Sequence, residues 1–291
     1  MENLNFKPKA FGYHPYNAYF LALVSQLAYE KDGKAVQAKA QSWGIAAEDI
    51  QPFDCGGTQA ILLADSEKII VAFRGTEPIL ADWITDLKIR KTAGPGGNVH
   101  RGFYAALACI WADVENAIEQ AIDKASQQQR QNPAYTRPTL WFTGHSLGGA
   151  LATMATAFCK FNEQPIVVNG LYTFGQPRVG SEKFAANFNN LFKAQTFRFV
   201  NNNDVVARLP PSLMDYSHVG QLKYFDHEGN FKSDGDLNWW NTFWDRAAGL
   251  LEESLNAGPD QINDHSLDEQ YIPHLLKHVQ QWEVEQKPPS P

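Results

Sequence analysis

The stretch Thr139-Leu140-Trp141-Phe142-Thr143-Gly144-His145-Ser146-Leu147-Gly148-Gly149-Ala150 decides how the rest of the chain is read. An apolar run leads into Gly144, and a small-residue helical pattern, Ala150 to Phe158, follows. This is a buried strand, a sharp turn and a helix in immediate succession. At the turn lies Gly144-x-Ser146-x-Gly148, the pattern of a nucleophile elbow. The glycines have a steric reason, because strand and helix approach so closely that a Cβ two positions either side of the serine would collide. Ser146 is therefore expected at a strained backbone angle with Oγ clear of the sheet. The first helix amides, starting with Leu147, face any negative charge that develops there.

A serine hydroxyl is a weak nucleophile at neutral pH and needs a histidine base, which needs a carboxylate to fix its tautomer. With this elbow the chain order is serine, acid, histidine. Asp204 follows the apolar run Thr196-Phe197-Arg198-Phe199-Val200, just past the C-terminal end of a strand, where a parallel sheet gathers its reactive groups. Several histidines compete for the role of base. His218 falls inside an expected strand, Tyr216 to Phe225, and His274 and His278 lie along the last helix, where His274 reads as a surface or helix-end residue. His265 lies on the loop ahead of Ser266-Leu267-Asp268-Glu269, a capping box, and so projects freely into a cleft. That position favours His265 over His218. His145 flanks Ser146, but its side chain should point the other way, which makes it structural. His14, His100 and His227 have no acid and nucleophile arranged around them.

The flanking segments fit an α/β architecture within one domain covering residues 1–291. Helical stripes run from Tyr16 to Tyr29 and from Val36 to Trp43, and the runs 59–64 and 68–73 suit an antiparallel hairpin. Glu77 to Leu87 reads as a short amphipathic helix with Pro78 near its start and Trp83, Ile84 and Leu87 on its apolar side. Gly94 to Gly97 is a flexible turn, Tyr104 to about Lys124 a long helix, and Gln127 to Pro133 a polar linker. Residues 166–168 with 170–174 form the next strand, and Ser181 to Phe192 the next helix. Strand and helix alternating in this way argue for a mostly parallel central sheet flanked by helices.

Composition excludes several functions. A net charge of -7 gives no footprint for nucleic acid and no attraction to an anionic membrane. Cys55, Cys109 and Cys159 are scattered and odd in number, so they read as buried free thiols. No metal or cofactor is expected: His274 and His278 lack the intervening Glu of a zinc hydrolase, and Gly94-Pro95-Gly96-Gly97 lacks the Lys-Ser/Thr of a phosphate loop. No leader and no apolar run of the ~20 residues a membrane span needs is visible. The expectation is a protein without a membrane span, cytoplasmic or secreted by a route not visible in the chain.

Six motifs follow one another along the chain: Val71-Ala72-Phe73-Arg74-Gly75-Thr76, Asp82-Trp83-Ile84-Thr85-Asp86-Leu87, Val99-His100-Arg101-Gly102-Phe103, Thr143-Gly144-His145-Ser146-Leu147-Gly148-Gly149, Thr173-Phe174-Gly175-Gln176-Pro177-Arg178-Val179-Gly180 and Asn203-Asp204-Val205-Val206-Ala207-Arg208-Leu209-Pro210-Pro211. In this order and at these intervals they resemble the lipase class 3 family of fungal-type triacylglycerol lipases. The resemblance implies an α/β-hydrolase fold with a short lid helix at about 77–90. It makes Ser146 the nucleophile, Asp204 the acid and His265 the base, with the amides of Thr76 and Leu147 as oxyanion hole. The family's catalytic histidine is followed by a tyrosine, which fits Tyr271, and His218 matches a separate motif. Trp83, Ile84 and Leu87 would belong to the lid and substrate pocket.

The chain departs from the compact secreted members in an extra segment at about 226–262, where Trp240, Phe243, Trp244, Ala247 and Leu251 share one helical face. That face suits either a lipid surface or the protein's own acyl pocket. The implied function is a carboxylic ester hydrolase, a triacylglycerol lipase acting through an acyl-enzyme, with an ester or lipid as partner. Phospholipase A1 and a short-chain or feruloyl-type esterase are the enzymatic alternatives. A catalytically silent α/β-hydrolase module that binds lipid or a partner is the alternative of another class.

Overall fold

Ile69, Ile70, Val71, Ala72 and Phe73 are all fully buried, which a strand achieves only when both faces of its sheet are covered. In the computed structural model the described residues are 5–75, 90–131, 137–161, 166–202, 204–233 and 263–287. They begin with helices α1 (Pro15–Leu27) and α2 (Gly33–Ser42), followed by strands β1 (Ile50–Cys55), β2 (Thr58–Ala64) and β3 (Lys68–Phe73). Strands β4 (Lys91–Gly94) and β5 (Gly97–His100) form a separate small hairpin ahead of the long helix α3 (Arg101–Gln131). Then come β6 (Thr139–His145), α4 (Leu147–Phe161), β7 (Gly170–Phe174), α5 (Glu182–Phe192) and β8 (Thr196–Asn201). The chain ends through β9 (Gln221–Phe225), β10 (Phe231–Ser233), a π-turn (Leu267–Tyr271) and α6 (Ile272–Glu285).

The main sheet has the order β1-β2-β3-β6-β7-β8-β9-β10. Strands β3, β6, β7, β8 and β9 run parallel, and antiparallel pairs close both ends. Register sets Val71 beside Phe142 and Phe142 beside Leu171, so the central strands end level with one another. Their two-residue alternation fills two separate cores. Leu62, Val71, Phe142 and Leu171 meet α3, α4 and α5, whereas Leu63, Ile70, Trp141, Tyr172, Phe174 and Phe199 meet α1, α2 and α6.

Several boundaries differ from the sequence reading. Helix α3 continues to Gln131, so the expected linker from Gln127 is helical for its first part. Residues 166–168 carry buried Ile166 and Val168 without joining the ladder, which begins at Gly170. The strand expected from Tyr216 begins only at Gln221, because Gly220 at φ 71° turns the chain out of the extended region. Strand β1 and the β4–β5 hairpin were not anticipated, since β1 has no two-residue alternation, with Gln51 and Asp54 three apart and Pro52 between them, and the hairpin is short.

The cysteine reading is corrected. Cys55, at the end of β1, and Cys109, on α3, form a disulfide, and Cys159 alone is a buried free thiol. The sequence separation of 54 hid a tertiary neighbourhood that only the packing of α3 over β1 and β2 creates. The expected lid at 77–89 and the Trp-rich insert from 234 to 262 lie outside the described residues. The insert's first part, 226–233, forms a turn and β10, paired to β9.

Candidate active site

The turn after β6 places Ser146 at φ 58°, a left-handed angle that costs a non-glycine residue about 1–2 kcal/mol. Two glycines make the turn possible. A Cβ on Gly148 would lie 2.0 Å from the Phe73 carbonyl oxygen, and one on Gly144 would lie 2.4 Å from the Gly148 carbonyl carbon. The strained serine is held by its amide, which donates to the Phe174 carbonyl at 2.9 Å, so the end of β7 fixes the turn after β6. Ser146 is buried at 3% exposure, and Leu147 opens α4 with its amide at the helix N-terminus.

Asp204 follows β8, and His265 lies two residues ahead of the π-turn. His265 Nδ1 faces both carboxylate oxygens of Asp204, 3.0 Å from Oδ1 and 2.9 Å from Oδ2. The carboxylate also accepts from the Val206 amide at 2.9 Å and from the Tyr271 hydroxyl at 2.5 Å. Burial would raise the Asp204 carboxyl, but His265, with its charge and hydrogen bond, and Tyr271 outweigh that and hold it below the ordinary range. Gly175 makes room for the pair: at φ 59°, a Cβ there would lie 2.7 Å from Asp204 Oδ2 and 2.7 Å from His265 Nδ1. His265 Nε2, on the far side of the ring, is buried and has no hydrogen-bond partner among the described residues. It is an open proton acceptor beside a carboxylate whose oxygens are engaged by the Val206 amide, the Tyr271 hydroxyl and His265 Nδ1.

The π-turn explains how Tyr271 reaches Asp204. Ser266 Oγ accepts from the Glu269 amide at 3.2 Å, so half of the expected capping box forms. The Tyr271 amide then bonds the Ser266 carbonyl five residues back at 3.3 Å, inserting one residue into the turn and directing the tyrosine inward. Its hydroxyl also accepts from the Asn201 amide at 3.0 Å. Asn201 Nδ2 donates to the Asp264 carbonyl at 3.0 Å and Asn202 Nδ2 to the Asp264 carboxylate at 3.0 Å, tying the histidine's loop to the end of β8.

The remaining histidines separate clearly. Among the described residues no hydrogen bond joins His218 to Ser146 or Asp204; desolvation and the neighbouring Arg198 and Arg178 push it well below its ordinary value. His100 caps α3, its Nδ1 accepting from the Phe103 amide at 3.3 Å, and burial lowers it to about 4. His274 lies at a helix end, in the first turn of α6, and is half-buried: Nδ1 lies 3.0 Å from Asn201 Oδ1 and the ring packs on Phe225. His145 points away from Ser146's side of the strand, yet its Nε2 lies 2.7 Å from the His265 carbonyl and its Nδ1 2.9 Å from the Tyr29 hydroxyl.

The structure therefore brings together Asp204 and His265 with the Ser146 turn at the C-terminal ends of β6, β7 and β8. Thr76, Trp83, Ile84 and Leu87 lie outside the described residues. Tyr29 and Asn201 were missed. The run Asn201-Asn202-Asn203 beside the acid was the available signal for one, and Tyr29, far away in sequence, offered none.

The description "Lipase (class 3)" matches residues 70–214, the span that carries β3, the Ser146 turn and Asp204. The chain belongs to the lipase class 3 family. Proteins similar to it include the secreted mono- and diacylglycerol lipase 1 of Fusarium solani, 35% identical over 165 residues, which cover 55% of this chain and 44% of that one. The triacylglycerol lipase OBL1 of Ricinus communis is 28% identical over 254 residues, covering 70% and 48%. The chain spans about half the length of the curated relatives it matches. Among solved structures, the Rhizomucor miehei lipase–propeptide complex superposes with a TM-score of 0.56 at 26% identity, covering 78% of this chain and 76% of that one. A triacylglycerol lipase described as having a serine-protease triad at its catalytic centre gives a TM-score of 0.54 at 27% identity, covering 76% and 84%. The fold of this class 3 lipase chain is thus the α/β-hydrolase fold, a mostly parallel sheet flanked by helices.

Proposed function

We propose that this chain is a carboxylic ester hydrolase, with triacylglycerols and related lipid esters as its substrates. One observation carries the reading: a buried Asp204–His265 pair leaves Nε2 without a hydrogen-bond partner among the described residues, at the same sheet edge that holds Ser146 at a positive φ. Membership of the class 3 family and the named lipases among its relatives support lipid esters over other acyl compounds.

In this reading Ser146 Oγ attacks the ester carbonyl while His265 Nε2 takes its proton, and Asp204 stabilises the resulting imidazolium. The same proton passes to the leaving alcohol. Water, deprotonated in turn by His265, then cleaves the acyl-enzyme and restores Ser146. The Leu147 amide and that of Thr76 receive the oxyanion, each donor contributing about 3 kcal/mol to the transition state. Trp83, Ile84 and Leu87, on one side of an amphipathic sequence pattern, would cover the acyl chain. Among the described residues no helix is long and apolar enough to cross a membrane. The Cys55–Cys109 disulfide and the secreted Fusarium relative support an oxidising, extracytoplasmic location.

The test is the initial rate on glycerol and p-nitrophenyl esters from acetyl to oleoyl, with Ser146→Ala as blank. A maximum at medium or long chains that vanishes in the variant is the expected result. A maximum at acetyl or butyryl makes the chain a small-ester esterase, and the absence of any Ser146-dependent rate leaves a lipid-binding module.

A further inference from the structure

Asp204 holds one edge of the His265 ring, and Asn201 and Asn202 tie down the preceding Asp264, but none of these contacts fixes the ring's plane or the His265 carbonyl. The strand before the nucleophile supplies that. In β6, Leu140 and Phe142 face α3 and α4, while Trp141 faces the α1 side and Thr143 bonds the α1 carbonyl of Leu21 at 3.2 Å. His145 continues the Thr143 side, and the His265 loop lies there.

Three contacts meet at His145. Its ring stacks on that of His265 with centroids 4.4 Å apart and planes 33° apart. Its Nε2 lies 2.7 Å from the His265 carbonyl oxygen, and because a carbonyl only accepts, Nε2 carries the proton. Burial, and then the neighbouring His265, press His145 down to about 3, so it is neutral and its Nδ1 must accept. The Tyr29 hydroxyl, 2.9 Å away, is the donor. Gly75 leaves room for this bond, since a Cβ there would lie 2.1 Å from the Tyr29 hydroxyl and 2.7 Å from the His145 carbonyl oxygen.

We infer that His145, its tautomer set by Tyr29, is a positioning residue for the base: it clamps the backbone of His265 through Nε2–H and sets the plane of the His265 imidazole by stacking. The inference rests on the hydrolase reading above and deepens it. The residue beside the nucleophile thereby aligns the base with that nucleophile, so the end of one strand fixes two partners of the proton transfer. The neutral ring also adds no positive charge beside an imidazolium that forms transiently on His265.

The experiment compares His145→Leu, His145→Gln and Tyr29→Phe in the full chain, with a soluble p-nitrophenyl ester and with a fluorophosphonate that acylates Ser146. Leu keeps bulk but cannot donate; Gln retains an amide N–H for the His265 carbonyl and an oxygen for Tyr29. His145→Leu should lower kcat and the fluorophosphonate rate in parallel, by roughly ten- to a hundredfold, with KM unchanged, the scale set by misplacing a reacting group by an ångström. His145→Gln should recover most of that loss. Tyr29→Phe should lower kcat by a few-fold in the His145 background and have no further effect in His145→Leu, the non-additivity of one network. Thermal melts of all variants accompany the rates. Rates for His145→Leu equal to those of the unmodified protein overturn the inference. So does a loss that Gln does not recover, or one that follows melting temperature alone. If the unmodified protein shows no Ser146-dependent hydrolysis or labelling, the hydrolase reading itself fails and takes this inference with it.

Discussion

The two faces of the sheet are packed by different chemistry. Under α4 the contact is made by small residues: Ala150, Ala152, Ala155 and Ala157 are buried to 1% or less, and Gly148 and Gly144 let backbone meet backbone. On the face under α1 and α6 the fillers are large and aromatic, with Trp141, Tyr172, Phe174, Phe197, Phe199, Phe225 and Tyr271 in one cluster. The first face brings a helix N-terminus close to a strained serine. The second carries polar tips on rigid rings, the Tyr271 hydroxyl on Asp204 and the Tyr29 hydroxyl on His145, beside the proposed acid and base. Ser146 faces one side of its strand and His145 the other, and the site lies where the two faces meet at the sheet's edge.

The largest effect should come from the close-packed face. In Gly148→Ala the new Cβ would lie 2.0 Å from the Phe73 carbonyl oxygen, backbone against backbone, with no rotamer to relieve it. Urea unfolding should show a loss of more than ~3 kcal/mol, or no folded protein, with Ser146-dependent activity gone. Gly12→Ala, where nothing lies within 4 Å of the new Cβ, should cost only the ~1–2 kcal/mol of its left-handed backbone. Equal losses at the two positions would break the contrast. On the aromatic face, Tyr271→Phe keeps the ring and deletes only the hydroxyl that serves Asp204 and Asn201. It should lower stability by about 1.5 kcal/mol and kcat by about tenfold. A drop in stability with kcat intact would make Tyr271 packing alone.

These predictions also mark what the sequence made legible. The parallel strands were readable because burial on both faces requires continuous apolar runs, as in Ile69 to Phe73, and because Gly144 and Gly148 punctuate the elbow. Asp204 and His265 were readable from strand-end and pre-helix position. Tyr29, Asn201 and the Cys55–Cys109 pair were not, because each acts through a tertiary neighbour with no periodic signature. The π-turn was missed for a related reason: Ser266-Leu267-Asp268-Glu269 caps a helix start equally well whether the next turn is α or π. Tyr271 was readable as a partner of the family motif, whereas its bond to the acid depends on that extra residue in the turn.

An effect comparable to that of Tyr271→Phe should appear in the dependence of stability on pH. His145 and His278, both on the aromatic face, are pressed by burial to about 3 and about 4 from an ordinary 6.5. Between those values the unfolded chain takes up protons that the folded chain refuses. The stability is fully present above pH 6.5 and is lost progressively as pH falls toward the folded-state values. For His145 alone this is about 1.4 kcal/mol per pH unit within the window. Urea midpoints measured from pH 7 down to 5 should fall less steeply in His145→Gln than in the unmodified protein, and parallel lines would show that His145 is not buried as a neutral ring.

The central claim is that Ser146 is the nucleophile activated by His265. Labelling the intact protein with a fluorophosphonate, followed by peptide mass mapping, tests it without choosing a substrate. A single adduct on Ser146 is expected, absent in Ser146→Ala and formed at least a hundredfold more slowly in His265→Gln, the scale of general-base assistance. An adduct on another residue, or a Ser146 rate indifferent to His265, would contradict the account.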